Sequence, residues 1–206
     1  MGKISLLYFL EDIAHEKFLP ALVTRIAQDR GIEPSLLEHN VRNATGGKGR
    51  ALAEFSQFLR ESQGLQCHIL IVAIDANCQS YQKRRKEILR RVKQSEVRWQ
   101  VVCAVPNPHI ERWYLSDPTV FRGKGVTLPP YKCERGRYKR ILREAIEEHT
   151  GSVPPLGGIE YGQEIAKAMD IHKARKEDRA LGRFVDDLKQ AFAILMNQDG
   201  VATEAS

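Results

Sequence analysis

The chain has 206 residues, 42% of them hydrophobic, and a formal charge of +6 from 32 Lys and Arg against 26 Asp and Glu. That length supports one well-formed core with room for a small appended region, and the apolar runs are far too short for a bilayer crossing, which excludes a membrane protein. The start of the sequence carries neither the basic flank nor the cleavage site of a signal peptide, so a cytoplasmic location is expected, and the basic balance leaves room for an anionic partner.

The first half alternates strand and helix patterns, the signature of βαβ units and a mostly parallel sheet. The run Ile4 to Leu10 reads as a strand, followed by a helix with Phe18, Leu19, Leu22 and Ile26 on one face and a break at Gly31 and Pro34. A weaker strand from Leu36 to Arg42 leads into the loop Gly46-Gly47-Lys48-Gly49-Arg50, and a second helix places Leu52, Phe55, Phe58 and Leu59 at helical spacing before Gly64. Cys67 to Ile74 is continuous and β-branched, as a strand buried on both faces should be, so it is expected in the interior of the sheet. The helix after it sets Tyr81, Arg85, Ile88 and Val92 on one face and Lys83, Lys86, Arg90 and Lys93 along another. A fourth strand, Trp99 to Val105, stops at Pro106-Asn107-Pro108.

The second half reads differently. Between Asp117 and Arg135 the sequence turns to Gly, Pro and basic residues, including Arg122-Gly123-Lys124-Gly125, which predicts a loop or lid. Helices are predicted at 135–149 and 160–170, and a last one carries Leu181, Phe184, Val185, Leu188, Ala191, Phe192 and Leu195 on one apolar face. The division predicted is an α/β core over 1–118, a basic loop and C-terminal helices packed on it over 119–196, and a frayed, flexible tail over 197–206. Cys67, Cys78, Cys103 and Cys133 sit singly, without Cys-x-x-Cys spacing, and are expected as reduced thiols.

Acidic residues fall where strands end: Glu11 after the first, Asp75 after the third, and Glu111 shortly beyond the fourth. In a parallel sheet those ends share one edge, where ligands gather, and convergent carboxylates there suit a hard divalent cation. If strand geometry persists past Ile74, Asp75 and Asn77 point to the same face, as two ligands of one ion must. Taken singly, a carboxylate after a strand is more often a turn or helix cap. The glycine loop is not a Walker A loop, because position 42 is arginine and no Ser or Thr follows Lys48; a flexible solvated turn is preferred to a phosphate cradle. Trp113 and Tyr114 read as core packing at a helix start.

Together, Leu10-Glu11-Asp12 through Phe18-Leu19, Ile74-Asp75-Ala76-Asn77, and Pro106-Asn107-Pro108-His109-Ile110-Glu111-Arg112-Trp113-Tyr114-Leu115 resemble the TOPRIM-like nucleases, in particular small stand-alone proteins related to the nuclease domain of OLD-family enzymes. The likeness runs from about residue 4 to about residue 190. It implies a TOPRIM-like Rossmannoid α/β fold and a nuclease that hydrolyses phosphodiester bonds of DNA or RNA with Mg²⁺ or Mn²⁺. By position, it implies Glu11, Asp75 and Glu111 as catalytic residues, with Glu11, Asp75, Asn77 and Glu111 around the metal. Small proteins of this kind resemble partners of separately encoded AAA or ABC-type ATPases in phage defence, and this chain carries no nucleotide-binding loop of its own. Two departures stand out: Asp12 replaces the glycine that usually follows the first glutamate, and Asn77 replaces a second aspartate, removing one charge from the metal site.

Nucleic acid is the expected partner of the basic residues. Lys83, Lys86, Arg90 and Lys93 form one set, Arg135 and Lys139 belong to a second cluster, and Lys48 and Arg50 lie on the glycine loop. Acids are nearly absent from the two larger stretches, as a phosphate-tracking surface requires. The rival reading is a TOPRIM-like binding module that has lost its chemistry through Asn77 and holds nucleic acid or a partner by these faces.

Overall fold

The computed structural model describes residues 2–46, 49–121 and 128–204, with side chains described to residue 198. Lys48 and the stretch Arg122-Gly123-Lys124-Gly125 lie outside the described residues. In chain order the elements are β1 (Ile4–Leu10), α1 (Ile13–Gln28), β2 (Leu37–Asn43), α2 (Ala51–Glu61), β3 (Ile69–Ala73), α3 (Tyr81–Gln94), β4 (Gln100–Ala104), α4 (Glu111–Tyr114), α5 (Arg137–Thr150), α6 (Gly162–Ala168), α7 (Ile171–Glu177) and α8 (Arg179–Glu204).

The four strands pair in parallel in the order β2-β1-β3-β4. Sequence pattern explains each place. β3, Ile-Leu-Ile-Val-Ala, is buried at every position and lies between β1 and β4. β2, Leu-Glu-His-Asn-Val-Arg-Asn, exposes Glu38 to Arg42 and forms one edge, where its charges discourage pairing with another chain. The chain steps from β1 out to β2 and then returns to the other side of β1 for β3. The order therefore reverses between β1 and β3, which opens a crevice outside their carboxyl ends.

Helices cover the sheet in two groups, α1 with α6 and α8, and α2 with α3. Phe9 of β1 meets Phe55 and Phe58 of α2 at centroid distances of 5.1 and 5.2 Å. Phe18 of α1 stacks on Tyr114 at 4.6 Å, and Trp113 packs on Phe184 of α8 at 5.5 Å. Trp113 and Tyr114 are fully buried, so both belong to the core, each large side chain contributing about 1.5–3 kcal/mol of burial. The short helix α4 is thus anchored by its aromatic side, which fixes the direction in which Glu111 points.

Several expectations change in detail. The single helix expected over 160–170 is α6, and a separate α7 begins where Asp170 accepts from the N–H groups of His172 and Lys173. The last helix continues to Glu204, past the point where a frayed tail is predicted, and the sequence beyond Asn197 holds no proline to stop it. On α3 the buried residues are Tyr81, Arg84 and Ile88, with Arg85 only half-buried, because Arg84 reaches back to the strand end of β3. Cys78 and Cys133 are not reduced thiols but a disulfide, Cα atoms 5.6 Å apart, while Cys67 and Cys103 carry thiols. No helix among the described residues is long and apolar enough to cross a membrane.

Candidate metal centre

The crevice between β1 and β3 is built by two strand ends that hold each other. Leaving β1, Glu11 donates its N–H to Ala73 O at 2.9 Å, and its carboxylate accepts the Asp75 N–H at 2.7 Å. Asp12 then caps α1, its Oδ1 accepting from Ala14 N and His15 N at 3.0 and 3.3 Å. The same oxygen takes His15 Nδ1 at 2.8 Å, so the imidazole is steered by the residue that starts its helix. His15 is fully buried, and its Nε2 lies 3.2 Å from Asp75 Oδ1. On the far side, Asp75 Oδ2 sits 3.1 Å from His109 Nδ1, and the Asp75 carbonyl accepts from Arg84 Nε at 3.0 Å.

Glu11, His15 and Asp75 each offer a ligand atom, and these atoms all lie within 4.8 Å of one another. This buried Glu-His-Asp group can hold a metal ion. His15 Nε2 and Asp75 Oδ1 form an ion pair at 3.2 Å but are not aligned for a hydrogen bond, and neither has a hydrogen-bond partner among the described residues. Two buried polar atoms left in this way are costly unless something supplies the missing contact. The Asp12–His15 pairing also matches a carboxylate that fixes the tautomer of a metal-binding imidazole.

Protonation follows the geometry. Burial and the neighbouring Asp75 charge push the Glu11 carboxyl above its ordinary value. For Asp75, burial pulls upward, but His15 and His109 beside it hold the carboxyl low. His15 is disfavoured as a cation by burial, yet Asp75 and Asp12 raise its pKa to about 10. Asp12, against its own burial, is drawn down to about 2 by His15. His15 is therefore a cation held between the Asp12 and Asp75 carboxylates, with His109 beside Asp75.

The remaining candidate residues fall around this group. Glu111, 1% exposed at the start of α4, sets Oε1 3.4 Å from Lys139 Nζ, and its Oε2 has no hydrogen-bond partner among the described residues. Burial, with the charge of Asp75, raises its pKa, but Glu111 is not among the residues whose ligand atoms lie within 4.8 Å of one another, so the expected fourth ligand falls outside that group. Asn77 departs from the expected alignment. Strand pairing ends at Ala73; Ala76 and Asn77 then donate to the carbonyls of Pro106 and Pro108, and Asn77 turns to φ 49°. In that left-handed conformation its side-chain amide donates to the Asp75 carbonyl at 3.4 Å, so the two-residue alternation of a strand does not aim it beside the Asp75 carboxylate.

Lys83, Lys86, Arg90 and Lys93 are exposed along the outer side of α3, and the first three border a shallow cavity of about 440 Å³. Arg135 is exposed in the turn before α5, and Lys139 is exposed on α5 while reaching Glu111. The second cluster is not free of acids in its effect: Glu134 gathers Lys132, Arg137 and Arg140 at 3.2, 3.5 and 3.6 Å. Arg50 is exposed before α2. Where the glycine loop begins, Glu54 accepts the N–H groups of Thr45 and Gly46 at 2.6 and 2.7 Å, so these two donors are already taken.

The family model of a domain of unknown function, DUF4276, matches residues 10–189. The chain belongs to that family. The matched stretch takes in Glu11, His15, Asp75 and Glu111 together with the α3 and α5 basic residues. No curated protein and no solved structure matches the chain.

Proposed function

We propose that this protein is a divalent-metal-dependent nuclease hydrolysing phosphodiester bonds of DNA or RNA. The observation that carries the reading is the buried Glu11–His15–Asp75 group at the sheet crevice, in which His15 Nε2 and Asp75 Oδ1 have no hydrogen-bond partner among the described residues. Glu11, His15 and Asp75 would hold the ion. When bound, it supplies Lewis acidity toward a phosphoryl oxygen and a lowered pKa for an adjacent water. The imidazole among the ligands favours Mn²⁺ over Mg²⁺, since magnesium prefers an all-oxygen set.

The chain's own groups do the rest. Glu111, with its proton affinity raised by burial, is suited to take a proton from an attacking water as general base. Lys139, 3.4 Å from it and exposed, can balance a phosphate at the mouth of the site. Asp12 keeps His15 in register, and His109 orients Asp75. Lys83, Lys86, Arg90 and Lys93 extend the cationic surface along α3 for the flanking backbone. The TOPRIM resemblance adds a separately encoded AAA or ABC-type ATPase as partner and a role in phage defence.

The deciding assay is cleavage of labelled DNA and RNA with Mg²⁺ and with Mn²⁺, in the presence and absence of a neighbouring ATPase. Cleavage greater with Mn²⁺ is expected, and Asp75→Ala and His15→Ala should each lower it by at least about a hundredfold through loss of a ligand. The rival binding module is favoured by one observation, the Asn77 amide turned onto the Asp75 carbonyl where a second carboxylate is absent. Wild type and Asp75→Ala equally inert in every combination, with nucleic-acid binding intact, would establish that module instead.

A further inference from the structure

Beside the candidate metal centre lies a second concavity, a cleft of about 310 Å³ bordered by Tyr81, Asn107, Arg112, Tyr131, Arg179 and Arg183. It shares its framework with the centre. Asn107 and Arg112 flank His109 on one segment, which sets His109 against Asp75 and Asn107 and Arg112 in the wall of the cleft. Its volume is at the small end for ligand sites, enough for one flat ring system with its attachments.

The lining combines two chemistries. Tyr131 is 50% exposed; Arg112 Cζ is 5.9 Å from its ring centre, and its hydroxyl donates to Asn107 Oδ1 at 3.2 Å. Opposite, the exposed Arg183 lays its guanidinium over Tyr81, 4.8 Å from the ring centre, and presents a second planar surface. Flat aromatic and guanidinium faces are what an unstacked base lies on. The charges point the same way. Asp178 is committed to Arg112 Nε at 2.9 Å, which leaves exposed Arg179 and Arg183 against the single exposed Glu177.

We propose that this cleft is a nucleotide subsite that takes one unpaired base of a single-stranded nucleic acid, with the adjoining phosphate on Arg179 and Arg183. The proposal rests on the nuclease reading for the position of the scissile phosphate and narrows its substrate to a strand whose bases are unpaired near the cut. A base held in a duplex is stacked on both faces and has no free face to lay on Tyr131. The disulfide belongs to the same structure: Cys133 lies next to the Tyr131 segment and Cys78 next to Tyr81, so the bond fastens the two aromatic walls to each other.

The test measures binding and not cleavage. The full protein is titrated, in EDTA, against a single-stranded DNA oligonucleotide carrying 2-aminopurine, with unlabelled single strand, duplex of the same sequence and adenosine monophosphate as competitors. Quenching is expected, with displacement by single strand and at least about tenfold poorer displacement by duplex or by the mononucleotide. Tyr131→Ala should weaken binding by about tenfold or more, and Tyr131→Phe should keep it. Arg183→Ala should weaken it and flatten the salt dependence by about 0.7 in the log–log slope. Duplex competing as well as single strand, or Tyr131→Ala binding as wild type, overturns the subsite; mononucleotide competing equally overturns the strand assignment. Tyr131-dependent binding without cleavage under any metal would defeat the nuclease reading and leave the subsite standing, whereas cleavage without Tyr131 dependence would remove the subsite alone.

Discussion

Asp12 and His15 make a pair whose protonation should be visible in the stability of the metal-free protein. His15 has a folded pKa of about 10 against 6.5 for an unperturbed imidazole, so its contribution is fully present below pH 6.5 and is lost as pH rises through about 10. Asp12, lowered from 3.8 to about 2, contributes fully above pH 3.8 and loses that contribution as pH falls through about 2. The contribution of this pair to thermal stability should therefore be level between pH 3.8 and 6.5 and fall as pH rises from 6.5 through about 10, and His15→Gln should remove that alkaline loss. An ion at His15 Nε2 must displace its proton, so Mn²⁺ affinity measured by calorimetry should rise with pH across the same alkaline range. The carboxylates of this centre were legible in the sequence because each follows an apolar run that ends. His15 was not, since one histidine in the first turn of a helix carries no signal of its own; the Glu11-x-x-x-His15 spacing behind a capping Asp12 was the only trace. Asn77 was misaligned because the apolar run continues to Ile74 while pairing stops at Ala73.

At the scale of elements, sequence pattern served the strands best. The buried run of β3 could only be an interior strand, and the polar sequence of β2 fits an edge. The amphipathic helix α3 was legible as an element but not in its face, because Arg84 buries its guanidinium on the Asp75 carbonyl, a tertiary contact that no periodicity announces. Its outer side remains as expected, with Lys83, Lys86, Arg90 and Lys93 exposed. Replacing these four by alanine should weaken filter-binding affinity for nucleic acid and lower the salt slope by up to about 0.7 per residue on single strands, with an unchanged melting temperature. An unchanged slope would take α3 out of the interface. Glu134 shows why charge counts alone misled for the second cluster: one acid, placed between Lys132, Arg137 and Arg140, binds all three.

Across the whole molecule, alternation of strand and helix was enough to give a parallel α/β sheet, and the reversal of strand order between β1 and β3 is what gathers Glu11 and Asp75 from distant segments. The Cys78–Cys133 bond was beyond reach, because its partners are 55 residues apart and lack any spacing motif. A loop of that length, closed covalently, restricts the unfolded chain enough to be worth up to about 4 kcal/mol, so reduction or Cys133→Ser should lower the melting temperature markedly. The bond also turns the middle of the chain into a ring that contains α3, β4 and α4. A single peptide cut anywhere between residues 78 and 133 would open that ring without parting the molecule. Limited proteolysis should then show one band without reductant and two with it. The stretch that presents His109, Glu111 and the basic side of α3 would stay fastened to its neighbours after its own backbone had been severed.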